Sequence, residues 1–347
     1  MGNPSPNAAR SSRTFRRDMG ELTDMNLRIV SALAISAALL GATASTAAEY
    51  RGWNTHPPDY PVSVAMDRFG ELVGERTDGR ITLKTYHSAV LGEGEFATEQ
   101  LQLGALDFGI FSTAPMVNTV KELGVGSLPY AFKSPEHQFR VMEGPIGAEI
   151  GVAMEAANMV PLSWFASGSR SFYANRPLNS VADIAGLKFR VQNSDINVAM
   201  VEALGANATP LPFGEVYTAL QSGVVDGAEN NWPSYESTNH FEVAKYYILD
   251  QHTIVPEGII FAKTTWDTFS PEDQEIIRAA AQEAAIYQRE LWATREAKSE
   301  KIVRDAGVVV VEVADKSPFS DAMSPVYDQF ASDPVIADLL KRIQATE

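Results

Sequence analysis

The chain has 347 residues, of which 45% are hydrophobic, enough for two folded domains with cores. Its 44 acidic residues outnumber its 28 basic residues, giving a formal net charge of −16, which argues against nucleic acid and anionic membrane surfaces as partners. It contains no cysteine, which excludes disulfides and thiolate metal sites, and its five histidines lack the HxxxH or HxH spacing of a zinc site. We therefore expect neither a metal nor a cofactor.

The N-terminus predicts export. A basic segment is followed by the apolar run IVSALAISAALL (29–40) and the small residues GATASTAA, a pattern typical of a secretory signal peptide. The apolar run is shorter than the roughly 20 residues that cross a bilayer, so a membrane anchor is the less favoured interpretation. We place cleavage near Ala48, which makes residues 1–48 the signal peptide and the mature protein periplasmic. Met25 in MNLR is a natural start, which would make residues 1–24 an over-called extension.

Helices and strands alternate along the first half of the mature chain. Apolar residues recur at helical spacing in YPVSVAMDRFGELVG (60–74), and ITLKTY (81–86) alternates as a strand does. GEFATEQLQLG (94–104) predicts a polar helix, and ALDFGIFS (105–112) and VPLSWF (160–165) predict buried strands. Such alternation is typical of an α/β domain with a largely parallel sheet.

A second cycle of the same kind follows. The predicted strands are SFYANRPL (171–178), LKFRVQ (187–192), TPLPF (209–213) and VVDGAEN (224–230), and the predicted helices are SDINVAMVEALG (194–205) and FGEVYTALQSG (213–223). Gly205 and Gly223 end these two helices. The chain therefore predicts two α/β units in succession.

The longest predicted element begins at Ser270. Ser270 at the N-cap, Pro271 at the first helical position and Asp273 two residues later make a strong helix start, and no glycine or proline follows until Gly307. A helix of some 35 residues would be roughly 50 Å long, which exceeds the width of one small domain. It must bend, break or lie across two domains, and we favour a brace that spans both.

The segment GLKFRVQN (186–193) holds the main candidate for ligand binding. In a strand, Phe189 and Val191 share one face, while Arg190 and Gln192 share the other. The polar pair then projects at the carboxyl end of the strand, where open α/β sheets bind ligands. Arginine suits a carboxylate because its planar fork donates two parallel hydrogen bonds. The alternative role for Arg190 is a surface salt bridge.

Four further residues are weaker candidates when each is taken alone. Arg170 follows a strand among small residues, and Asn230 ends the short strand VVDGAEN. Phe213 occupies a strand-to-helix turn where its ring could lie against a sugar, although a core position is the simpler interpretation. Glu229 could be an N-cap or the partner of an arginine.

Together these segments resemble a known family. The ordered combination of G-x-R (168–170), LKFRV, LPFGEVYTALQSGVVDGAEN and HFEVAKYY resembles the solute-binding subunit of tripartite ATP-independent periplasmic (TRAP) transporters, the DctP-like family. The resemblance implies that Arg190 clamps a carboxylate, with Arg170, Asn230 and Phe213 beside the ligand. It also implies a two-lobed, periplasmic-binding-protein-like α/β fold with crossing strands and a long helix spanning both lobes.

The resemblance implies a mechanism as well. The lobes close on the ligand and deliver it to TRAP membrane permease subunits, without catalysis. For that fold we assign residues 49–167 and 256–295 to lobe I, and residues 168–255 and 296–347 to lobe II.

The ligand class is a small organic acid, with a sugar acid favoured. THPPDYPV (55–62) and ENNWPSYES (229–237) are similar to a family branch that binds hexuronates. A polyhydroxy acid needs several hydrogen-bond partners, and the side chains that could supply them are His56, Glu95, Gln192, Asn230 and Asn231, with Trp232 as a wall or as packing. Glu93 and Glu99 are rivals of Glu95. A C4-dicarboxylate is the alternative, with Arg170 as its second cation.

Two other functional classes are alternatives to a transport protein. A secreted enzyme acting on acidic sugars should show a nucleophile or acid/base set, but the chain has no GxSxG motif and no metal-ligand cluster. A receptor that signals to a sensor kinase would share the fold and differ only in its partner.

Overall fold

The computed structural model describes residues 1–2 and 48–347, so the predicted signal peptide lies outside the described residues except at its two ends. The described part contains eleven strands: β1 Ala48–Trp53, β2 Ile81–Tyr86, β3 Phe108–Ser112, β4 Met159–Phe165, β5 Arg170–Ala174, β6 Lys188–Val191, β7 Asn207–Pro210, β8 Gly227–Asn230, β9 Tyr246–Thr253, β10 Glu257–Ala262 and β11 Val309–Glu312. Its α-helices are α1 Pro61–Arg76, α2 Gly94–Gln102, α3 Pro135–Met142, α4 Pro145–Ala156, α5 Asp195–Ala203, α6 Val216–Ser222, α7 Trp232–Ser237, α8 His240–Val243, α9 Lys263–Trp266, α10 Pro271–Asp305, α11 Ser317–Asp321, α12 Ser324–Phe330 and α13 Pro334–Ala345.

The strands form two sheets, and each is largely parallel with one antiparallel strand. The first sheet has the order β2-β1-β3-β10-β4, and β10 runs antiparallel to both of its neighbours. The second sheet has the order β11-β9-β5-β8-β6-β7, and here β5 is the antiparallel strand. In each sheet the antiparallel strand directly follows a short crossing from the other sheet, residues 166–169 before β5 and residues 254–256 before β10. The expected two-lobed α/β fold is confirmed, whereas the residue boundaries of the two lobes remain a prediction.

The first sheet buries an aromatic core beneath α1. The rings of Phe108 in β3 and Phe261 in β10 stack with their centroids 5.1 Å apart, and Phe69 of α1 meets both edge-on. Burying three phenylalanine side chains is worth several kcal/mol of hydrophobic stabilisation, about 1.5–3 kcal/mol each. This packing fixes the strand ends that carry the site described below.

Two short segments, residues 166–169 and 254–256, carry the chain between the sheets and are held by hydrogen bonds. Gln288 of α10 donates to the carbonyl oxygen of Ala166 and accepts from its amide at 2.9 and 2.8 Å. Gly168 has a φ of +63°, and a Cβ there would lie 2.7 Å from Glu296 Oε1, so this position requires glycine. The two segments form a narrow connection between the sheets, which α10 also joins.

The 35-residue helix α10 spans both sheets, as the sequence predicted. Its first half buries Ile277 and a series of alanines against α1 and β4, and its last turns bury Val303 with the core of the second sheet. Small side chains on the first half allow the helix to approach the sheet closely. The brace interpretation is therefore confirmed.

We expect Ser270→Ala to lower the free energy of unfolding by about 1 kcal/mol, the usual cost of losing an N-cap. The Ser270 Oγ accepts from the Asp273 amide at 3.1 Å, and Asp273 in turn pairs with Arg80 at 2.7 Å. Denaturant unfolding monitored by circular dichroism measures the change. Ser332→Ala, at an exposed serine, is the control and should stay within about 0.5 kcal/mol of wild type. Equal stability of the two variants would contradict the capping role.

Three predicted strands are shorter in the structure: β5 ends at Ala174, β8 begins only at Gly227, and TPLPF differs most. TPLPF was expected to be a strand through Phe213, but β7 ends at Pro210 and Phe213 begins a 3-10 turn, Phe213–Glu215. Two prolines in five residues remove backbone donors and limit the strand to its edge position beside β6. The early turn brings Phe213 to the end of the sheet, beside the site.

Candidate functional site

A cavity of about 820 Å³, part of it open to solvent, lies between the two sheets. It is bounded by the ends of β1, β3, β6 and β8, by the starts of β5 and β10, and by the first turn of α2. Carboxyl ends of parallel strands meet here from both lobes, which is where α/β sheets generally bind ligands. The starts of β5 and β10 reach the same edge because these two strands run antiparallel to the rest.

Arg190 is a buried cation in this cavity that forms no ion pair with any residue from 48 to 347. Its side chain is enclosed, with Nε and Nη2 donating to the carbonyl oxygen of Leu211 at 2.9 and 2.7 Å. Both Nη1 hydrogens and one Nη2 hydrogen stay free, and no carboxylate of the described chain forms an ion pair with it. Burial lowers the pKa of Arg190 to about 10, so it is still charged at neutral pH. An anion that compensates a buried guanidinium stabilises it, and the three free donors of Arg190 are available for one.

Arg170 also lines the cavity, but Glu229 neutralises it. Arg170 Nε donates to Glu229 Oε2 at 2.5 Å, and Nη2 donates to Glu229 Oε1 and to the Glu229 carbonyl oxygen, both at 2.8 Å. Nη1 donates to Asn230 Oδ1 at 2.9 Å. One N–H of the five is left for a ligand. The two arginines therefore differ in kind, since Arg190 offers an uncompensated charge and Arg170 a single hydrogen bond.

The Arg170–Glu229 pair continues into a buried network. His252 Nε2 lies 3.4 Å from Glu229 Oε2, and His252 Nδ1 lies 2.7 Å from Asp250 Oδ2. Burial alone would raise the pKa of Glu229, but the charge of Arg170 and the hydrogen bonds from His252 and Arg170 lower it to about 2. Burial would lower the pKa of His252, but Asp250 and Glu229 raise it to about 9. Two cations and two anions alternate, so the network is neutral overall.

Asn230 and Phe213 both line the cavity. Asn230 Oδ1 accepts from Arg170 and from the amide of Asn231, and within the described chain its Nδ2 has no hydrogen-bond acceptor, so it remains available. The Phe213 ring lies with its centroid 6.0 Å from Arg190 Cζ and meets His56 edge-on at 5.8 Å. The turn thus presents a half-buried aromatic surface next to the free guanidinium.

Three further residues predicted from the sequence, Gln192, His56 and Glu95, also line the cavity. Gln192 Nε2 donates to Ser112 Oγ at 3.0 Å, while its Oε1 has no partner among residues 48–347. His56 stacks on Tyr60, burial lowers its pKa to about 3, and its buried Nδ1 likewise lacks a partner there. Glu95 lies in the first turn of α2 and reaches the cavity. Neutral and anionic acceptors suit ligand hydroxyl groups, which donate hydrogen bonds.

Glu95 is the member of its loop that lines the cavity, whereas Glu93 and Glu99 do not. Glu93 lies instead next to Gly214 of the other lobe. A Cβ added to Gly214 would be 2.6 Å from Glu93 Oε1. The structure thus separates three glutamates that the sequence could not distinguish.

Asn231 and Trp232 lie outside the cavity lining. Asn231 Oδ1 caps α7 by accepting from the Ser234 amide at 2.8 Å, and its Nδ2 donates to the Ser167 carbonyl oxygen at 2.7 Å. Trp232 stacks on Tyr247 with ring centroids 3.9 Å apart. The polar groups of Asn231 and the ring of Trp232 make contacts within the fold. Neither residue belongs to the site proposed below.

Sequence reasoning missed three residues of this region. Glu257 lines the cavity at the start of β10, and Asp250 and His252 complete the network behind Arg170. Glu257 and His252 stand near the end of a strand and Asp250 stands within one, and the sequence signal was an ionisable side chain next to a buried run. That signal alone does not say which way a side chain points.

Two further tests of the described residues are negative. No group of three or more His, Asp or Glu side chains in residues 1–2 and 48–347 is arranged to hold a metal ion. Nor does this part of the chain include a helix with the length and apolar character needed to cross a bilayer.

The family model DctP, described as bacterial extracellular solute-binding protein, family 7, matches residues 54–333. The chain belongs to this family. The TRAP resemblance is thereby confirmed. Members of this family are solute-binding proteins that work outside the cytoplasm.

Relatives within the family are similar over most of the chain. A solute-binding protein of Chromohalobacter salexigens is 46% identical over 320 residues, covering 91% of this chain and 95% of the relative. The crystal structure of a TRAP periplasmic solute-binding protein from Roseobacter denitrificans, with bound β-D-glucuronate, is 47% identical, covers 86% of this chain and all of the relative, and has a TM-score of 0.85. One from Sulfitobacter sp. NAS-14.1, with bound β-D-galacturonate, is 49% identical, covers 84% of this chain and 98% of the relative, and has a TM-score of 0.83.

Proposed function

We propose that this protein captures a hexuronate, such as D-glucuronate or D-galacturonate, in the periplasm and delivers it to the membrane permease of a TRAP transporter. The observation that carries the proposal is the buried guanidinium of Arg190, which has three free donors and no ionic partner in the described chain. The carboxylate of a uronate supplies the missing negative charge, and its two oxygens match the parallel N–H donors of the guanidinium. The export signal in residues 1–48 supports the periplasmic location.

The charge balance of the cavity favours one carboxylate over two. A C4-dicarboxylate needs a second open cation, but Arg170 is already neutralised by Glu229. The carboxylate of Glu95 and the amide oxygen of Gln192 instead match a ligand rich in hydroxyl donors. The D-glucuronate and D-galacturonate bound to relatives of 47% and 49% identity support the same ligand class.

We infer that the two lobes close around the ligand. Contacts across the cavity support this, since Gln192 donates to Ser112 at 3.0 Å and the Tyr60 and Ser234 hydroxyls lie 3.0 Å apart. Closure excludes water, which strengthens the ionic contact of Arg190. Binding without catalysis is supported by three cavity hydroxyls, because those of Ser112, Ser234 and Thr98 bond to an amide, a phenol and a carbonyl rather than to a general base.

A thermal-shift screen tests the ligand class. We expect saturating D-glucuronate or D-galacturonate to raise Tm by on the order of 5 °C, because a ligand at 100 times its Kd stabilises the folded state by about 2.7 kcal/mol. Succinate, malate and the neutral sugars D-glucose and D-galactose are the controls and should leave Tm within about 1 °C. A response to succinate or malate without a response to the uronates would overturn the proposal in favour of a dicarboxylate.

A further inference from the structure

Glu257 is a cavity residue whose carboxyl group has no assigned role. It begins β10, where it pairs with Ser112 of β3 and Phe165 of β4. Directly opposed residues of antiparallel strands project to the same face, and both Glu257 and Ser112 line the cavity. No donor in the described chain forms a hydrogen bond to the half-buried Glu257 carboxyl group. Its oxygens are therefore open to whatever occupies the cavity.

The charge of Glu257 is poorly compensated. Arg170 is the cation that acts on it, but Arg170 is committed to Glu229 through two carboxylate contacts. Burial raises the pKa of Glu257 to about 7, and the attraction of Arg170 opposes this rise only in part. In the cavity as it stands, the group is therefore about half protonated at neutral pH.

The other titratable groups around Glu257 leave the range from pH 6 to pH 8 clear. The groups with shifted pKa values in and behind the cavity wall are His56, Tyr60, Arg170, Arg190, Glu229 and His252. His56 has a pKa of about 3 and Glu229 of about 2, whereas the values of Arg190 and His252 are about 10 and 9. Tyr60 and Arg170 ordinarily have high pKa values, and in this protein the pKa of each is raised further. Glu95 is the other carboxylate that lines the cavity.

We propose that Glu257 contacts the bound acid and takes up a proton when the acid binds. This proposal rests on the proposed function, because the bound acid supplies the negative charge. A second anion in a closed cavity disfavours the ionised form of Glu257, so its proton affinity rises on binding. The protonated carboxyl group then donates its O–H to a ligand oxygen and accepts from a ligand hydroxyl through its carbonyl oxygen. Capture of the anion is thereby linked to pH.

The sign and size of the linkage follow from the pKa change. Since the complex binds more protons than the free protein, affinity rises as pH falls. A tenfold rise in the proton affinity of Glu257 on binding makes binding about fivefold tighter at pH 6 than at pH 8. The same rise corresponds to uptake of about half a proton at pH 7.5. The ligand carboxylate stays ionised across this range and contributes no proton.

Isothermal titration calorimetry of the mature protein with D-galacturonate and D-glucuronate tests the proposal. Titrations at pH 7.5 in phosphate and in Tris, whose ionisation enthalpies differ, give the number of protons taken up, and titrations from pH 6 to pH 8 give the affinity profile. We expect about half a proton for wild type and none for Glu257→Gln, whose amide cannot titrate. The affinity of Glu257→Gln should no longer change with pH.

Glu296→Gln is the matched control, since burial also raises the pKa of Glu296 but the side chain does not line the cavity. It should retain the wild-type proton uptake. Unchanged uptake in Glu257→Gln, or loss of uptake in Glu296→Gln, would overturn the proposal. So would wild-type binding with no proton uptake and no pH dependence, a measurement that does not depend on any variant folding. If wild type bound neither uronate, the proposed function itself would fail, and this proposal with it.

Discussion

Arg190→Ala should abolish hexuronate binding, with a loss on the order of a thousandfold in affinity. Truncating one partner of a buried, hydrogen-bonded charge pair costs about 4 kcal/mol, because the other charge is left unpaired. In the variant the uronate carboxylate would enter a closed cavity whose other arginine is already paired with Glu229. Isothermal titration calorimetry with D-glucuronate and D-galacturonate measures the loss.

Two arginine variants serve as comparisons. Arg190→Lys keeps the charge but loses the planar fork, so it should bind with intermediate affinity. Arg176→Ala removes an exposed arginine paired with Asp226 and should bind as wild type does. Circular dichroism should show all three variants folded, since Arg190 makes hydrogen bonds to the single carbonyl of Leu211. Binding by Arg190→Ala within threefold of wild type would show that the carboxylate lies elsewhere.

Glu229→Gln should be the most destabilising of the variants considered, costing about 3–5 kcal/mol in the free energy of unfolding. Glu229 is 1% exposed and is the anion between Arg170 and His252, both of which are buried. The amide removes one negative charge, so the two cations and Asp250 carry a net positive charge. Water does not reach this buried network to solvate that charge. Breaking a buried pair in this way is far costlier than losing a surface pair. Urea unfolding followed by circular dichroism measures the cost.

The cost should depend on pH in one direction. Because the pKa of Glu229 in the folded protein is about 2, below its ordinary value of 4.5, its contribution is complete above pH 4.5 and is lost as pH falls toward 2. The stability difference between wild type and Glu229→Gln should therefore shrink over that window. Glu312→Gln, which breaks an exposed pair with Arg304, is the control and should change stability by less than about 1 kcal/mol. A Glu229→Gln protein as stable as wild type at pH 7 would contradict the ionic role.

Much of the fold could be predicted because its signals are local. The start of α10 depends on Ser270, Pro271 and Asp273, which are neighbours in sequence, and its length follows from the missing glycines and prolines. The side of the strand on which Arg190 lies could be predicted because its neighbours Phe189 and Val191 must lie on the opposite side. The structure buries both neighbours in the core. Such inferences need no knowledge of how the strands are ordered.

Sequence patterns could not predict the site where residues adjacent in the chain have different roles. Glu229, Asn230 and Asn231 are consecutive, yet the first neutralises Arg170, the second lines the cavity and the third caps α7. The chain leaves the strand after Asn230, so strand alternation no longer sets the direction of the next side chain. The cue for Asn231 was Pro233 two positions later, a combination typical of a helix start.

Glu257 and His252 could not be assigned from sequence for a different reason. Glu257 reaches the cavity because β10 runs antiparallel to β3 and so begins where β3 ends. His252 meets Glu229 because β5 separates β8 from β9 in the sheet order and carries Arg170 between them. Both placements depend on the strand order of the folded protein, which no local pattern encodes.

The crystal structure of the complex with D-galacturonate or D-glucuronate tests the central claim most directly, since it locates the ligand carboxylate relative to Arg190. We predict that the carboxylate oxygens lie about 3 Å from Arg190 Nη1 and Nη2, with the sugar ring against Phe213. A carboxylate turned away from a guanidinium still bonded solely to the Leu211 carbonyl oxygen, or a uronate bound outside the cavity, would contradict the account.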